Sequence, residues 1–324
     1  MNATTLLVGL ASGAASAALT FAVGAGSLFS VFLAIFAQLP ILIAALGWRH
    51  HAGLIGSIAG SVFVYLLLDF DGALGYALSV ALPAWWLGYL ALLGQPADPD
   101  RPEQGMVWYP IGRLLAWAAV IGIVLVVGAV LVQSGGVEAY RATLRAAFTD
   151  IMKLHTESVP KDAAQPNEAD IKNIVEFLVI MLPPMIAAFW TVVAMLNMWV
   201  AGRVVRASGR LVRPWPELAA FNLPALTLMA LIGGIAGSFA PGLFGFAAGI
   251  VCAAFTVLFA TLGLAFLHVA TRGRPGRSLL LGISYALLCI LPWAGALAAL
   301  GVFEFLFGLR ARMAAASLPP KPSL

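Results

Sequence analysis

Charged residues are scarce in this chain: they make up 10% of its 324 residues, whereas 62% are hydrophobic. A soluble globular protein carries roughly 25% charged residues. A soluble core cannot absorb such an excess of apolar side chains, so much of the surface must face lipid. The composition therefore excludes an ordinary soluble domain and predicts an all-α, polytopic transmembrane helix bundle.

Cysteine is also rare, because the sequence has only Cys252 and Cys289, and both lie in apolar runs. Cysteines in apolar surroundings are usually inert packing residues. With no paired cysteines in a hydrophilic loop, we expect neither a disulfide framework nor a zinc site. No metal and no other cofactor is predicted.

Catalytic motifs are missing from the apolar runs. These runs contain no carboxylate pair, no His-x-x-x-His, no glycine-rich phosphate loop and no nucleophile with a nearby base. Ionisable groups inside a membrane usually mark function, so their absence predicts that the protein is not an enzyme. The basic residues lie in loops, so the pI of about 9.3 indicates no nucleic-acid partner. The ionisable residues nearest the runs stand at or near their ends: Asp69, Asp71, Glu176, His268 and Glu304.

Long apolar runs are what the sequence does have. A helix needs roughly 20 mostly apolar residues to span about 30 Å of hydrocarbon. No Lys or Arg precedes the first run, so we interpret it as a retained membrane helix rather than a signal peptide. The predicted spans are Thr5–Gly24, Leu28–Gly47, Gly53–Asp69, Ala73–Gly94, Ile111–Gln133, Asn173–Ala201, Ala219–Phe239 and Leu243–Ala270, followed by the longer run Ser278–Leu309.

The last run is too long for one untilted span. A single crossing would place Arg310 and Arg312 outside, against the tendency of basic residues to stay in the cytoplasm. Pro292 and Gly295 lie near the middle of the run, so a broken hairpin is predicted there. The bundle then has about eight to ten spans.

Arginine clusters predict the orientation, because Lys and Arg near span ends are retained on the cytoplasmic side. One cluster lies in the loop Arg203–Arg213 and another in the loop Arg272–Arg277, with the uncharged turn Ala240–Gly242 between them. Both arginine loops are therefore predicted to be cytoplasmic and the turn to be outside. Alternating back along the chain places the N-terminus in the cytoplasm.

One long polar segment, residues 134–172, falls on the outer side in this topology. Apolar side chains recur at three- and four-residue steps from Val137 to Ile151. This spacing predicts an extramembrane amphipathic helix, followed by a loop. Residues 1–318 are predicted to form a single transmembrane domain, and residues 319–324 a disordered tail.

A few polar and aromatic residues at membrane depth are candidates for a substrate-binding site. Gln38 lies near the middle of the second span, and Asn197 follows Trp190 by one heptad on the same helix face. Trp85 and Trp86 lie together in the fourth span. Ligand pockets combine aromatic walls with a few polar groups. The alternative is that the amides form interhelical hydrogen bonds and the tryptophans belong to an interfacial belt.

Small residues form stripes along several spans. Gly9, Gly13 and Ala17 recur every four residues in the first span, and Gly56 and Gly60 repeat the pattern in the third. Such stripes let two helix backbones approach closely. The first-span stripe is predicted to dock another membrane protein, because that helix is terminal. The alternative is a contact inside the bundle.

One set of residues lies at the end of the sixth span, in the segment after it and near the C-terminus: Leu196, Asn197, Arg203, Gly209, Pro214, Trp215, Pro216, Phe221, Pro224, Leu300, Gly301, Glu304 and Arg310. This set resembles the YybS-like family of uncharacterised predicted bacterial membrane proteins, although an Asp is more usual where Glu304 stands. The resemblance implies a multi-pass protein of the bacterial inner membrane. No catalytic residues are established for the family, so it implies none.

The N-terminal third carries a second set: Leu39-Pro40, Gly47-Trp48-Arg49, Gly53 and Gly56–Gly60. These motifs resemble substrate-binding subunits of energy-coupling-factor transporters. Such subunits dock on a coupling protein through small residues of the first helix, which implies the same role for the stripe described above. They have fewer spans than are predicted for this chain.

Two functions fit the sequence. The first is a small-molecule binding or transport subunit without its own ATPase, with a vitamin-like or nucleobase-like solute held between helices. The second is a membrane scaffold or assembly factor that has no ligand. A wet cavity beside Gln38, Trp190 and Asn197 would favour the first, and a dry bundle the second. The expected partners are the lipid bilayer, a membrane protein at the first helix, and a small molecule.

Overall fold

The chain is helical along almost its whole length in a computed structural model, which describes residues 2–98, 100–101, 105–132, 135–158, 167–215, 221–287 and 291–316. Cys289, the loop after the predicted amphipathic helix and the tail 319–324 lie outside these residues. The helices in the described residues are α1 (Ala3–Phe21), α2 (Leu28–Ala34), α3 (Leu39–Gly47), α4 (Arg49–Leu67), α5 (Phe70–Tyr76), α6 (Leu82–Ala91), α7 (Ile111–Val132), α8 (Gly136–Ser158), α9 (Glu168–Ala207), α10 (Ala225–Gly237), α11 (Gly242–Ala270), α12 (Arg277–Leu287), α13 (Leu291–Phe307) and α14 (Leu309–Ala316).

Seven helical segments of the described residues are long and apolar enough to cross a membrane. The prediction of an all-α polytopic bundle is therefore confirmed. The described residues also contain two shorter apolar helices, Ala225–Gly237 and Ala294–Phe307. The predicted total of about eight to ten spans stays a prediction. The seven segments are Ala3–Gly24, Leu28–Gly47, Arg49–Leu67, Phe70–Ala91, Ile111–Val132, Glu168–Ala207 and Gly242–Ala270.

Two of the predicted spans are interrupted rather than continuous. The run Leu28–Gly47 is divided into α2 and α3, and the fourth span consists of α5, a π-helical turn at Ala77–Ala81, and α6. A π turn is rare and occurs often at functional sites. Each interruption precedes a proline, which lacks the amide hydrogen that a continuous helix would use.

The start of α2 follows from its sequence. Ser27 Oγ accepts a hydrogen bond from the Ser30 amide, and the Ser27 amide donates to Ser30 Oγ, both at 3.1 Å. This reciprocal pair satisfies amides that a helix start leaves free. Beyond the cap, the apolar side chains of Leu28, Phe29 and Phe32 are exposed, and Leu28 is 92% exposed. This short helix therefore presents an apolar face to its surroundings.

A short hairpin follows the fourth span. Strands β1 (Gly94–Pro96) and β2 (Met106–Trp108) pair antiparallel, with Gly94 opposite Trp108. A stretch this short carries no alternation that would predict strands from the sequence. It positions Tyr109, whose amide donates to the Leu93 carbonyl at 2.8 Å.

The chain folds into two compact units, whose boundaries fall inside α7, α9 and α11. The first comprises Met1–Ile121, Thr191–Pro224 and Val257–Leu324, and the second comprises Gly122–Trp190 and Ala225–Thr256. The single transmembrane domain over residues 1–318 stays a prediction.

Glycine contacts join α1 to α4 in the first unit. A Cβ on Gly9 would lie 2.7 Å from Ile55 Cβ, and one on Gly13 would lie 2.7 Å from the Gly60 amide nitrogen. No side chain larger than hydrogen fits there, so the two helix backbones pack directly on each other. The small-residue stripes of the first and third spans therefore face one another.

An apolar core holds the second unit. Tyr140 of α8 packs edge-to-face on Phe246 of α11, with ring centroids 6.1 Å apart. Arg145 of α8 is paired with Glu176 of α9, with Arg145 Nη2 3.0 Å from Glu176 Oε2. The buried residues of this core are Val126, Val130, Val137, Ala187, Phe246 and Ile250.

Helix α8 occupies the segment where an amphipathic helix is predicted. Val137 is buried, and Tyr140, Leu144 and Phe148 are half-buried, whereas Ile151 is exposed. The apolar face is therefore covered at the start of the helix and open near its end. The position of α8 outside the bilayer stays a prediction.

The last apolar run contains two helices, α12 and α13, and residues 288–290 between them lie outside the described residues. Pro292, which is predicted to interrupt the run, lies in the first turn of α13, where its missing amide hydrogen costs nothing. Gly295 lies inside the same helix. A hairpin of these two helices across the membrane stays a prediction.

Candidate functional site

Hydrogen-bonding side chains surround the break between α2 and α3 at residues 35–38. Asn197 Nδ2 donates to the Ile35 carbonyl at 2.8 Å, and Ser16 Oγ donates to the Ala37 carbonyl at 2.6 Å. Ser16 Oγ in turn accepts from the Tyr76 hydroxyl at 2.7 Å. An interrupted helix leaves carbonyl groups without amide partners. At this break, side chains from α1 and α9 supply the missing donors.

A matching arrangement surrounds the π turn. Pro83 lacks the amide that would bond the Ser79 carbonyl in a continuous α-helix, and that carbonyl accepts from Gln38 Nε2 at 3.4 Å. The Ala81 carbonyl accepts from Ser57 Oγ of α4 at 2.8 Å. The Gln38 side chain therefore links the first interruption to the second.

Two buried amide oxygens remain without a hydrogen-bond partner among the described residues: Gln38 Oε1 and Asn197 Oδ1. Gln38 is 3% exposed and Asn197 is fully buried. An unsatisfied buried acceptor costs about 1–3 kcal/mol, so two of them around one helix break call for an explanation. We refer to Ser16, Gln38, Ser57, Tyr76 and Asn197 as the interrupted-helix site.

The structure groups the predicted site residues differently from the sequence. Gln38 and Asn197 meet at the same break, since Asn197 bonds a carbonyl three residues before Gln38. Trp190 is half-buried, and it belongs to the second unit, whereas Asn197 belongs to the first. A pocket that Trp190 shares with Asn197 stays a prediction.

Trp85 and Trp86 belong to an aromatic cluster near the end of α6. Trp85 stacks on Tyr89 with ring centroids 6.1 Å apart, and Trp86 packs edge-on against Trp117 at 5.5 Å. Tyr89 also contacts His50 at the start of α4, with centroids 5.1 Å apart. These ring contacts join α6, α4 and α7, and a ligand-binding role for the two tryptophans stays a prediction.

The first-helix stripe Gly9, Gly13 and Ala17 is buried inside the first unit. Gly13 contacts the backbone of Gly56 and Gly60, which is the internal alternative that the sequence left open. A docking role for this stripe stays a prediction, and it would require α4 to move aside.

Sequence reasoning missed three members of the interrupted-helix site: Ser16, Ser57 and Tyr76. Ser16 lies beside the small-residue stripe, where it signals close packing as readily as hydrogen bonding. The available signal was proline, since Pro40 and Pro83 each stand inside an apolar run and free a carbonyl there. A hydroxyl on a neighbouring span is then the expected donor.

An arginine anchors the segment after α9. Arg213 donates through Nη1 to the Ala91 carbonyl at 3.1 Å and through Nη2 to the Tyr109 carbonyl at 2.8 Å. Burial lowers the pKa of Arg213 from its usual value, yet a guanidinium still keeps its proton at neutral pH. The positive charge therefore contributes to holding this segment against the hairpin.

A buried ion pair closes the end of α13. Arg310 Nε donates to Glu304 Oε1 at 2.7 Å, and the Arg310 amide donates to Glu304 Oε2 at 3.1 Å. Arg310 Nη2 also donates to the Phe221 carbonyl at 2.6 Å. Both charged side chains are almost fully buried. The pair therefore fastens the segment before α10 to the turn after α13.

These features define a multi-pass α-helical membrane protein with two interrupted helical segments in its first unit. The chain belongs to the DUF2232 family of predicted membrane proteins, whose profile it matches over residues 14–304. That match covers every residue of the interrupted-helix site. No curated protein and no solved structure matches the chain.

Proposed function

We propose that the protein binds a small molecule at the interrupted-helix site and acts as a binding or transport subunit without its own ATPase. The observation that carries this proposal is the pair of buried, unpartnered oxygens, Gln38 Oε1 and Asn197 Oδ1. In membrane transporters, substrate sites are typically built where helices are discontinuous. Irregular backbone at membrane depth is tolerated where protein or a watery cavity covers it.

The hydrogen-bond acceptors that are left without partners in the site limit the chemistry of its ligand. Both open groups are acceptors, because the amide nitrogens of Gln38 and Asn197 already donate to carbonyl groups. A matching ligand must therefore supply N–H or O–H donors or carry positive charge. A nucleobase-like or vitamin-like solute has such donors.

The enclosure of both oxygens implies that a ligand enters only when helices separate. In the closed, empty arrangement each unsatisfied acceptor costs about 1–3 kcal/mol. A ligand that satisfies them removes this cost, so it stabilises whichever arrangement admits it. This coupling between occupancy and helix position is what a transport subunit requires.

We propose binding rather than catalysis at this site. The groups that meet there are amides, hydroxyls and backbone carbonyls, which bind ligands without changing charge near neutral pH. The partial resemblance to substrate-binding subunits of energy-coupling-factor transporters supports the same proposal.

Mass spectrometry of small molecules released from protein purified in mild detergent tests the proposal. The wild type is expected to release a donor-bearing compound, and Gln38→Met to retain about three- to tenfold less of it, as expected for one lost hydrogen bond. Ser61→Ala is the matched control, because among the described residues Ser61 Oγ bonds within its own helix, to the Ser57 carbonyl. Equal retention by the wild type and Gln38→Met, or no released compound at all, would overturn the proposal.

The alternative function is a membrane scaffold without a ligand. It is favoured by the hydrogen bonds of Ser16, Gln38 and Asn197, each of which joins two segments of the chain. In that case Gln38→Met lowers the melting temperature of protein that has no ligand to lose. Co-purifying proteins, identified from the same detergent extract, then become the informative product.

We also propose that the protein lies in a bacterial inner membrane with a cytoplasmic N-terminus. The arginine-rich segment after α9 supports this orientation. A cysteine introduced at Gly209, with Cys252 and Cys289 replaced by Ala, should resist an impermeant thiol reagent added to intact cells and react after permeabilisation. Reaction in intact cells would reverse the topology.

A further inference from the structure

The last turns of α9 carry arginines that lie over tryptophan rings. The Arg203 guanidinium carbon is 5.7 Å from the ring centre of Trp199 and 6.0 Å from that of Trp215. The Arg206 guanidinium carbon is 5.7 Å from the same Trp215 ring. Trp215 therefore lies beside two arginines at once, and its ring also contacts the α9 backbone, because a Cβ on Gly202 would lie 2.8 Å from it.

A third arginine continues this row beyond the end of the helix. Arg210 follows Gly209, whose φ of 70° turns the chain at the end of α9. The Arg210 guanidinium carbon lies 4.5 Å from the ring centre of Trp48, at the turn between α3 and α4. Arg203, Arg206 and Arg210 are each exposed.

None of these three arginines has a carboxylate partner in the part of the chain that the structure describes. The ion pairs found there join other residues: Arg141 to Glu138, Arg145 to Glu176 and Arg310 to Glu304. Arg203 and Arg206 lie against the same Trp215 ring, so their two unneutralised guanidinium groups repel each other. An anion that bridges them would remove this repulsion.

The ring contacts prepare the guanidinium groups for such an anion. A guanidinium that lies over an aromatic face keeps its edge free, and that edge carries N–H donors in a planar fork that matches phosphate oxygens. The ring also limits the rotamers of the arginine, so less conformational entropy is lost on binding. The tryptophans therefore act as supports for the charged edges.

We propose that this arginine–tryptophan cluster, consisting of Trp48, Trp199, Arg203, Arg206, Arg210 and Trp215, binds the phosphate groups of anionic membrane lipids. Lipid fits better than free phosphate, because apolar side chains adjoin the charges. Trp199 is 56% exposed on the apolar helix and Val212 is 73% exposed beyond it. Tryptophan rings at the head-group level and basic groups beside them are the two features that an anionic leaflet recognises.

Titration of detergent-purified protein with short-chain phosphatidylglycerol, followed by tryptophan fluorescence, tests this proposal. The double variant Arg203→Gln/Arg206→Gln should bind about thirtyfold more weakly, since each arginine near an anionic surface contributes about a factor of five. The matched control is Arg272→Gln/Arg274→Gln, which removes the same charge from another exposed arginine segment. It should bind as the wild type does.

Three further comparisons make the result decisive. Arg206→Lys keeps the charge but loses the planar fork, so it should also weaken binding. Short-chain phosphatidylcholine should bind far more weakly than phosphatidylglycerol, and inorganic phosphate should not compete at equal concentration. Equal loss in both double variants would reduce the effect to net charge and overturn the proposal. Full competition by inorganic phosphate would show that the cluster binds a soluble anion instead. Binding of phosphatidylglycerol by the Arg203→Gln/Arg206→Gln variant as tight as that of the wild type would show that the cluster is not the lipid site.

Discussion

The two units of the chain hold their helices together by different means. In the first unit, glycines bring the backbones of α1 and α4 into contact, and hydroxyl and amide side chains bridge the helix breaks. In the second unit, a cluster of valine, phenylalanine and isoleucine side chains forms the core. Directional hydrogen bonds specify one arrangement, whereas apolar packing tolerates exchange of similar side chains. The first unit should therefore be the less tolerant of substitution.

The largest effect is expected from the buried ion pair of the first unit. Arg310→Met leaves the Glu304 carboxylate buried without its partner, which should lower the free energy of unfolding by about 3–5 kcal/mol. Denaturant titration in mild detergent measures this change. The double variant Arg310→Met/Glu304→Leu should recover most of the loss, because it removes both charges. A double variant as unstable as the single one would contradict this account.

Gly13→Leu should have the next largest effect. A leucine side chain at this position meets the backbone of Gly56 and Gly60, so it forces α1 away from α4 at a cost of about 1–3 kcal/mol. Leu10→Ala is the control, because the Leu10 side chain on the same helix is exposed. Thermal melting in detergent compares the two. Equal melting temperatures would show that the glycine contact does not limit stability.

A matched pair of tyrosine variants compares the two units directly. Tyr76→Phe removes the hydroxyl that donates to Ser16 Oγ, and should lower stability by about 0.6–1.5 kcal/mol. Tyr140→Phe keeps the ring contact with Phe246, so it should change stability by less than about 0.5 kcal/mol. If the Tyr140 variant is the less stable of the two, the contrast between the units is wrong.

The smallest effect is expected at the exposed ion pair of the second unit. Exposed pairs contribute little, because water and salt screen both charges. Glu176→Gln should therefore leave the melting temperature unchanged at physiological salt. Any difference from the wild type should appear only at low salt and disappear as salt is added. A loss that persists at high salt would show that the pair is structural.

The helical class was predictable because it depends on composition and run length, which are properties of single segments. The break in the second span is partly predictable, because Pro40 removes an amide hydrogen there, but its structure depends on a donor from a distant part of the chain. Asn197 Nδ2 reaches the Ile35 carbonyl across a sequence separation of 162 residues. No local pattern encodes such a pairing. The same limit explains why Ser57 and Tyr76 were not predicted as site residues.

The arginine–tryptophan contacts are of two kinds, one predictable from local spacing and one not. Arg203 and Trp199 are four residues apart on a helix, so their contact follows from helical spacing alone. The contact between Arg210 and Trp48 does not, because these residues come from distant parts of the chain. Sequence reasoning interpreted the basic segment only as a marker of orientation, because the ring contacts of its arginines depend on both local and distant residues.

The short length of α2 has a mechanical consequence. Its seven residues form a stiff arm about 10 Å long, which ends at the turn where Gln38 and the Asn197 contact lie. A tilt of this arm by roughly 20°, a common inclination for helices in bilayers, moves the far end at Leu28 by about 3–4 Å. Groups at the turn itself, about which the helix would pivot, move hardly at all. A change in the tilt of α2 would therefore displace Leu28 while leaving the two open oxygens in place.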